Sequence, residues 1–476
     1  MSWLQTHKVG ILTAGTALVP AVSAAVYYEQ WWIAAVPFLI VIGAWGWQQP
    51  RWLFALMWMS IPFSFEYSFS DSLGTDLPDE PLMLAVTLLV VFHCIHRKDA
   101  FSFRFADHPL FICFVAWLGW MVIASLVSTA PVLSLKFLLA KSWYTGAFFL
   151  APLIWVRSRQ ELAQLLYWIY VPLFVLMLIS LIRHAFEGFS FATSSEVVQP
   201  YFRNHVVYSA LLVTLAPVLY FRFRRDKRTW YRAAMLVLLI ALFLSYARGA
   251  WLALLAGALA YWFLRHRLLT YGYVFGILIG LSVIVWLKHD DRYLRYAPDY
   301  RTTIFHPAFS DHWRATYQGK DVSTVERFYR WIAGVRMVEE RPLTGFGPAS
   351  FYSSYRSYTI PAYKTWVSNN PDRSTVHNYF LLTASEQGLP GLIIFLLLFG
   401  AMLFYAERLY HRGSDPWIRR VAAGIAVVAV MLGVVNFWSD LIETDKIGSL
   451  FFLLIALLLL LERSSIGIAA HVERVA

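Results

Sequence analysis

The stretch Tyr379–Tyr405, YFLLTASEQGLPGLIIFLLLFGAMLFY, runs 27 residues with Glu386 as its one charged side chain. About 20 apolar residues, rising about 1.5 Å each as a helix, cross the roughly 30 Å of hydrocarbon in a bilayer. The stretch therefore reads as a membrane-spanning helix. Working outward, apolar runs bounded by charges recur near 9–28, 31–47, 52–65, 81–96, 109–128, 135–155 and 161–182. Further runs follow near 205–221, 233–247, 249–264, 268–287, 421–438 and 447–461, which makes fourteen expected spans. The short run at 52–65 and the closely joined pair at 233–264 set twelve as the alternative count. The first run carries no persuasive cleavage site and continues into further spans, so no cleavable signal is expected.

Composition agrees. Of 476 residues 59% are hydrophobic and 14% charged, whereas a soluble domain carries about a quarter charged residues. A water-soluble globule and a disordered chain are both excluded. The only cysteines, Cys94 and Cys113, lie in apolar runs and exclude a disulfide scaffold. The sequence predicts an all-α, polytopic integral membrane protein with about 12–14 transmembrane helices.

The formal charge of +11 is read through the loops, not as a nucleic-acid surface. Arg97, Lys98, Arg104, Arg157, Arg159, the cluster Arg222–Arg232, Arg265, Arg267, Arg408, Arg412, Arg419 and Arg420 fall on one side if the spans alternate. The opposite short loops hold Glu66, Asp71, Asp76, Asp79 and Glu80, then Asp440, Glu443 and Asp445. The positive-inside rule puts both termini in the cytoplasm. The expected division is spans over 1–287, a large outer loop over 288–378, and further spans with a cytoplasmic tail over 379–476.

The large loop holds 13 Lys/Arg against 9 Asp/Glu. Either long loops simply escape the positive-inside rule, or this one faces an anion. Within it Ser323–Val338 reads as an amphipathic helix, with Val325, Phe328, Trp331, Ile332 and Val335 on one face and Arg327 and Arg330 elsewhere. Pro342 should end it, and Gly345-Phe346-Gly347-Pro348 reads as a tight turn.

Ionisable residues at membrane depth are functional candidates. Arg248 stands between two apolar runs at the outer side; a snorkelling or turn-capping role is its plainer reading. Lys136 and Lys141 suit snorkelling or pairing. His377 directly precedes the span quoted above, and its neutral imidazole is able to take a proton near neutral pH. There is no HExxH, paired-cysteine, P-loop or dinucleotide-binding pattern. A reactive face without nucleotide chemistry implies a substrate activated before it arrives.

Three blocks resemble the O-antigen ligase and polymerase superfamily. One runs from Glu326-Arg327-Phe328-Tyr329-Arg330-Trp331 through Arg341-Pro342-Leu343-Thr344-Gly345-Phe346-Gly347-Pro348. Another is His377-Asn378-Tyr379-Phe380 running into Glu386-Gln387-Gly388-Leu389-Pro390-Gly391. The third is Tyr246-Ala247-Arg248-Gly249-Ala250, and Phe202-Arg203-Asn204-His205 is also similar to a Phe-x-Asn-rich segment of that family. The resemblance covers roughly 200–400.

The resemblance implies a GT-C-like fold and a metal-independent, inverting glycosyl transfer on the periplasmic face of the bacterial inner membrane. It implies an undecaprenyl-diphosphate-linked glycan as donor. The acceptor is a lipid A-core sugar in ligases and another lipid-linked glycan in polymerases. His377 would be the base. Arg248 and Arg327, with Arg330 and Arg203 as additions, would hold the diphosphate through bidentate, always-charged contacts. Asn378 and Glu386 would support the site, with no metal, no cofactor and no nucleic acid. A transporter is the rival class, but it would show repeat halves and mid-membrane breaks, and a protein O-glycosylating relative is a third.

The topology is testable by cysteine labelling of intact cells. An impermeant reagent should label Gly319→Cys and spare Gly413→Cys; the reverse pattern overturns the orientation.

Overall fold

The computed structural model describes residues 46, 48–70, 73–96, 105–296, 322–364, 368, 375–413 and 415–475. The expected spans near 9–28 and 31–47 lie outside them, Gly46 excepted. The described helices are α1 (Pro50–Ser60), α2 (Asp79–His96), α3 (Pro109–Leu126), α4 (Pro131–Trp155), α5 (Arg159–Phe186), α6 (His205–Asp226) and α7 (Thr229–Leu244). There follow α8 (Arg248–Arg265), α9 (Leu269–Lys288), α10 (Val322–Glu340), α11 (Tyr379–Arg412), α12 (Pro416–Trp438) and α13 (Asp445–Val475). Eight of them, α2 to α6, α9, α11 and α12, are long and apolar enough to cross a membrane. The protein is an all-α polytopic membrane protein.

Local chemistry sets the helix starts. Proline occupies the first turn of α1, α3, α4 and α12, where its missing N–H is not needed. Side chains cap others: Ser158 accepts from the Glu161 N–H, Asn204 from Val206 and Val207, and Asp415 from Trp417. Two features differ from the sequence reading. α1 has only 11 residues, roughly 16 Å of helix, too short to cross alone. The acidic connection after it is a β-hairpin, β1 (Phe65–Ser70) against β2 (Leu73–Leu77), which sets Glu66 opposite Asp76. Like charges facing across a hairpin oppose its formation, so the acidic pattern gave no strand signal.

α8 and α12 pack through small residues. Ala250, Ala253, Gly257 and Ala260 form one buried stripe on α8, opposed by an α12 rich in buried alanine. Close backbone approach through such stripes is the usual basis of helix association in lipid. A Cβ built at Gly257 would stand 2.2 Å from Met431 Cε. Gly257 meets Met431 well along α12, while Leu264 at the end of α8 bonds His411 at the end of α11, just before α12 begins, so α8 runs antiparallel to α12. Arg248 therefore lies at the end of the bundle where α12 finishes. α9, in contrast, buries little besides Leu269. Its exposed Phe275, Val285 and their neighbours need a lipid environment.

The large loop folds into a small core of its own, built from Tyr329, Ala333, Met337, Phe346, Phe351, Tyr355, Tyr363, Val376 and Leu382. The helix expected over 323–338 is present as α10, slightly longer. Of the expected face Val325 is buried and Phe328, Trp331, Ile332 and Val335 only partly so; Tyr329, Ala333 and Met337 are buried instead, and Glu326 and Arg330 with them. The reason is that α10 is covered on two sides, by the Phe351–Tyr363 layer and by α11. The Arg330–Glu326 pair, 3.3 Å apart at i and i+4, brings the arginine in with its counter-charge.

α11 is broken. Gly388 has φ +71 and ψ −179, with Pro390 two residues on. The turn Gly345–Pro348 closes onto the break. Phe346 N–H donates to Ser385 O at 3.0 Å and Gly347 N–H to Glu386 O at 2.8 Å, while Leu389 N–H returns to Pro342 O at 2.7 Å. Trp120 Nε1 donates to Gln387 O at 2.7 Å. The Glu386 carboxylate accepts the Ala349 and Phe351 N–H groups, both at 2.9 Å. The backbones approach so closely that a Cβ at Gly388 would fall 2.4 Å from Leu343 O, and one at Gly345 2.4 Å from the Glu386 carbonyl carbon.

Gly388→Ala and Gly345→Ala should each lower unfolding stability in detergent by about 1–3 kcal/mol, from left-handed strain and displaced backbone. Gly276→Ala, mid-helix with nothing within 4 Å, should be neutral or stabilising by up to about 1 kcal/mol. Equal melting temperatures for wild type and Gly388→Ala would remove the backbone clasp from the account.

Candidate functional site

The segment Thr375–Tyr379 is the short bridge between the loop core and α11, and it is stitched on both sides. Trp331 Nε1 donates to Val376 O at 3.0 Å and Arg330 Nη1 to Thr375 O at 3.2 Å. From the α12–α13 connection, Ser439 O accepts the Tyr379 N–H at 3.0 Å and Asp440 accepts from the Thr375 hydroxyl. Asn378 caps α11, its Oδ1 accepting from Leu381 N–H at 2.9 Å. These ties hold His377 at φ +55, a left-handed conformation that costs a non-glycine residue about 1–2 kcal/mol. Strain of this kind persists where surrounding structure over-determines it, and it clusters at functional sites.

The charges around His377 come from three elements. Burial, and then the guanidinium groups of Arg330, Arg327 and Arg203, push its imidazole down from the ordinary histidine value to about 3. It is therefore neutral at neutral pH although 34% of its side chain stays accessible. Its Nδ1 stands 3.9 Å from Asp440 Oδ1, just beyond hydrogen-bond range. Burial first, and the nearby Glu443 second, push Asp440 up to about 7, against the opposing pull of Arg330 and Arg203. Glu443 is engaged by buried Lys141 at 2.8 Å, which answers the sequence question about that lysine: it is paired.

The structure brings together four of the expected residues: His377, Arg203, Arg327 and Arg330. Arg203 is exposed, Arg327 half-buried and Arg330 buried, so the charge runs from the surface inward. Arg248 stands on a different element, α8. It occupies the first position of α8 after a tight corner with Tyr246 at φ +56. A cation there works against the helix dipole. Asn378 and Glu386 act through position, one capping α11 and the other clamping the Gly345 turn. Asp440 and Glu443 went unassigned in the sequence; their signal was an acidic loop on the same side as the large basic one. Among the described residues no three His, Cys, Asp or Glu side chains form a metal-ligating group.

The arrangement sets three guanidinium groups around a neutral histidine. No curated protein matches the chain. The family model described as O-antigen ligase matches residues 233–396, from α7 through α8, α9 and α10 into the broken helix α11. Over that third of its length, which includes His377, Arg248, Arg327 and Arg330, the chain is similar to the O-antigen ligase family.

Proposed function

We propose that the protein is a ligase-type glycosyltransferase of the bacterial inner membrane, moving a glycan from undecaprenyl diphosphate to a lipid A-core sugar on the periplasmic face. The observation that carries this reading is the convergence of Arg203, Arg327 and Arg330 on a neutral His377. The family match supports transfer from a lipid-linked glycan within a membrane, of ligase or polymerase type. The arginines hold the donor diphosphate, with Arg248 as a fourth contact, and stabilise the charge that grows as the sugar–phosphate bond breaks. This reading needs no metal, since guanidinium groups supply the positive charge. The acceptor hydroxyl attacks the anomeric carbon from the face opposite the diphosphate, its proton passes to His377, and the bonding electrons leave with the phosphate oxygen. The result is inversion.

An imidazole with a pKa of about 3 is a weak base. Bound diphosphate lifts it in part: burial, the largest cause of the shift, remains, but the diphosphate charge offsets the three guanidinium groups that add to it. Asp440 stands behind Nδ1 to receive the imidazolium once the 3.9 Å gap closes. The donor thus switches on the base that consumes it.

Incubation of the purified protein with a lipid-linked glycan and lipid A core tests the reading. Core-linked product is expected; longer lipid-linked chains without core product would make it a polymerase, and movement without transfer a transporter. Arg327→Ala and Arg248→Ala should cut transfer roughly 30- to several-thousand-fold, the effect of removing one partner of a buried charged contact worth about 2–5 kcal/mol. Lysine should rescue only in part, because it lacks the fork. Full activity of both lysine variants would dismiss bidentate phosphate binding.

His377→Gln should lower kcat by about 10²–10⁴-fold with little change in donor affinity. The pH profiles carry a second signature. kcat/KM reports the free enzyme and kcat the complex. Between pH 5 and 8 the free imidazole stays neutral, so only Asp440 should titrate in kcat/KM, activity rising as its carboxyl ionises near 7. In kcat an additional acid limb should appear as donor binding lifts His377. Asp440→Asn should remove the rise near 7 and leave the acid limb; matching kcat and kcat/KM profiles would refute donor-dependent tuning.

A further inference from the structure

At the opposite end of the bundle from His377 lies a cavity of about 130 Å³ between α5, α6, α12 and α13. Its floor is apolar and buried, with Leu454 and Leu457 from α13 and Val428 from α12. Three arginines line it at one end only: Arg222 and Arg225 in the last turns of α6, and Arg420 near the start of α12. From Arg420 to Val428 the apolar wall runs roughly 12 Å along the helix, most of the roughly 15 Å depth of one leaflet. Gly424 keeps the middle open: a Cβ there would meet only Phe221, at 3.9 Å.

We propose that this cavity binds an anionic diacyl phospholipid of the leaflet at that end, phosphate at the arginines and one acyl chain along the wall. The charge pattern selects the occupant. Asp226 stands 3.3 Å from Arg225 and offsets one positive charge. Arg222 is held over the Tyr167 ring at 5.0 Å. Arg159 is paired with Asp415, which leaves that acid committed outside the cavity. The net positive rim faces a headgroup, and the wall suits hydrocarbon that a free phosphate would leave unused. A zwitterionic headgroup lacks the net charge to match such a rim, and basic pockets between transmembrane helices are the recognised form of anionic-lipid sites. None of these residues belongs to the machinery around His377.

Native mass spectrometry of the full chain tests this, with dioleoylphosphatidylglycerol or dioleoylphosphatidylcholine added to the detergent. The phosphatidylglycerol adduct should be the stronger. Arg222→Gln with Arg420→Gln should weaken it roughly 30-fold and leave the phosphatidylcholine adduct unchanged. Gly424→Phe, which fills the cavity without touching the arginines, should weaken phosphatidylglycerol binding too. Equal wild-type retention of both lipids overturns the proposal, as does phosphatidylglycerol binding that survives both variants. Displacement of the lipid by excess inorganic phosphate would make this a free-phosphate site and also overturn it.

Discussion

A helix that breaks inside a membrane leaves carbonyl groups that hydrocarbon cannot satisfy, and the end of this protein that carries the large loop is arranged around that problem in α11. The break at Gly388 frees the carbonyls of Ser385, Glu386 and Gln387, and two are taken by Phe346 and Gly347 of the loop, the third by Trp120 of α3. Irregular backbone at membrane depth is tolerated only where protein covers it. The same contacts therefore do two things at once: they make the break affordable and they fasten the large loop to the bundle. Thr129 and Ser134 extend the fastening to the start of α4, bonding Phe346 O and Pro348 O. With the turn fixed, α10 has one place to lie, and Arg327 and Arg330 arrive beside His377 as a consequence.

The electrostatics of the site follow from that fixed placement. Burial first, and then three guanidinium groups that would repel an imidazolium, keep the histidine neutral, and the acids Glu326, Asp440 and Glu443 stand near the cluster. Such an arrangement is poised for an anion. On the function proposed above, a bound diphosphate relieves the repulsion among the arginines and lessens their pressure on His377, while burial, the larger cause of its lowered pKa, stays. The left-handed backbone at His377 serves the same end, since it aims the ring from a segment stitched to both α10 and the α12–α13 connection.

Much of this was legible in the sequence, for stated physical reasons. Long apolar runs mark helices whatever their neighbours, and glycines at 345 and 347 beside Pro348 mark a turn. The blocks carrying Arg203, Arg327, Arg330 and His377 stood out through their resemblance to the O-antigen ligase and polymerase superfamily. Other features depend on partners far along the chain and left no local trace. The burial of Arg330 requires α11 on one side and the Phe351–Tyr363 layer on the other, so an amphipathic reading of α10 alone put it near solvent. Asp440 looked like one more acid in a short loop; its role depends on Thr375 and His377, more than sixty residues away. Glu386 stood out as a charge in an apolar run, yet its partners are backbone N–H groups, which no side-chain pattern announces.

Arginine is used at both ends of the bundle, and the difference in how it is held separates the two uses. Near His377 the side chains are tied into the fold: Arg330 is buried, paired with Glu326 and bonded to a backbone carbonyl, so its geometry is set before any ligand comes. At the other end Arg225 is exposed and Arg222 rests on a tyrosine ring, which fixes charge in a region without fixing a bond direction. Preorganised donors favour a transition state whose charge develops at one point, whereas a loosely held rim suits a mobile headgroup. On the two proposals above, the same residue type meets phosphate in two ways, as a preset contact at Arg330 and as a loosely held rim at Arg222 and Arg225.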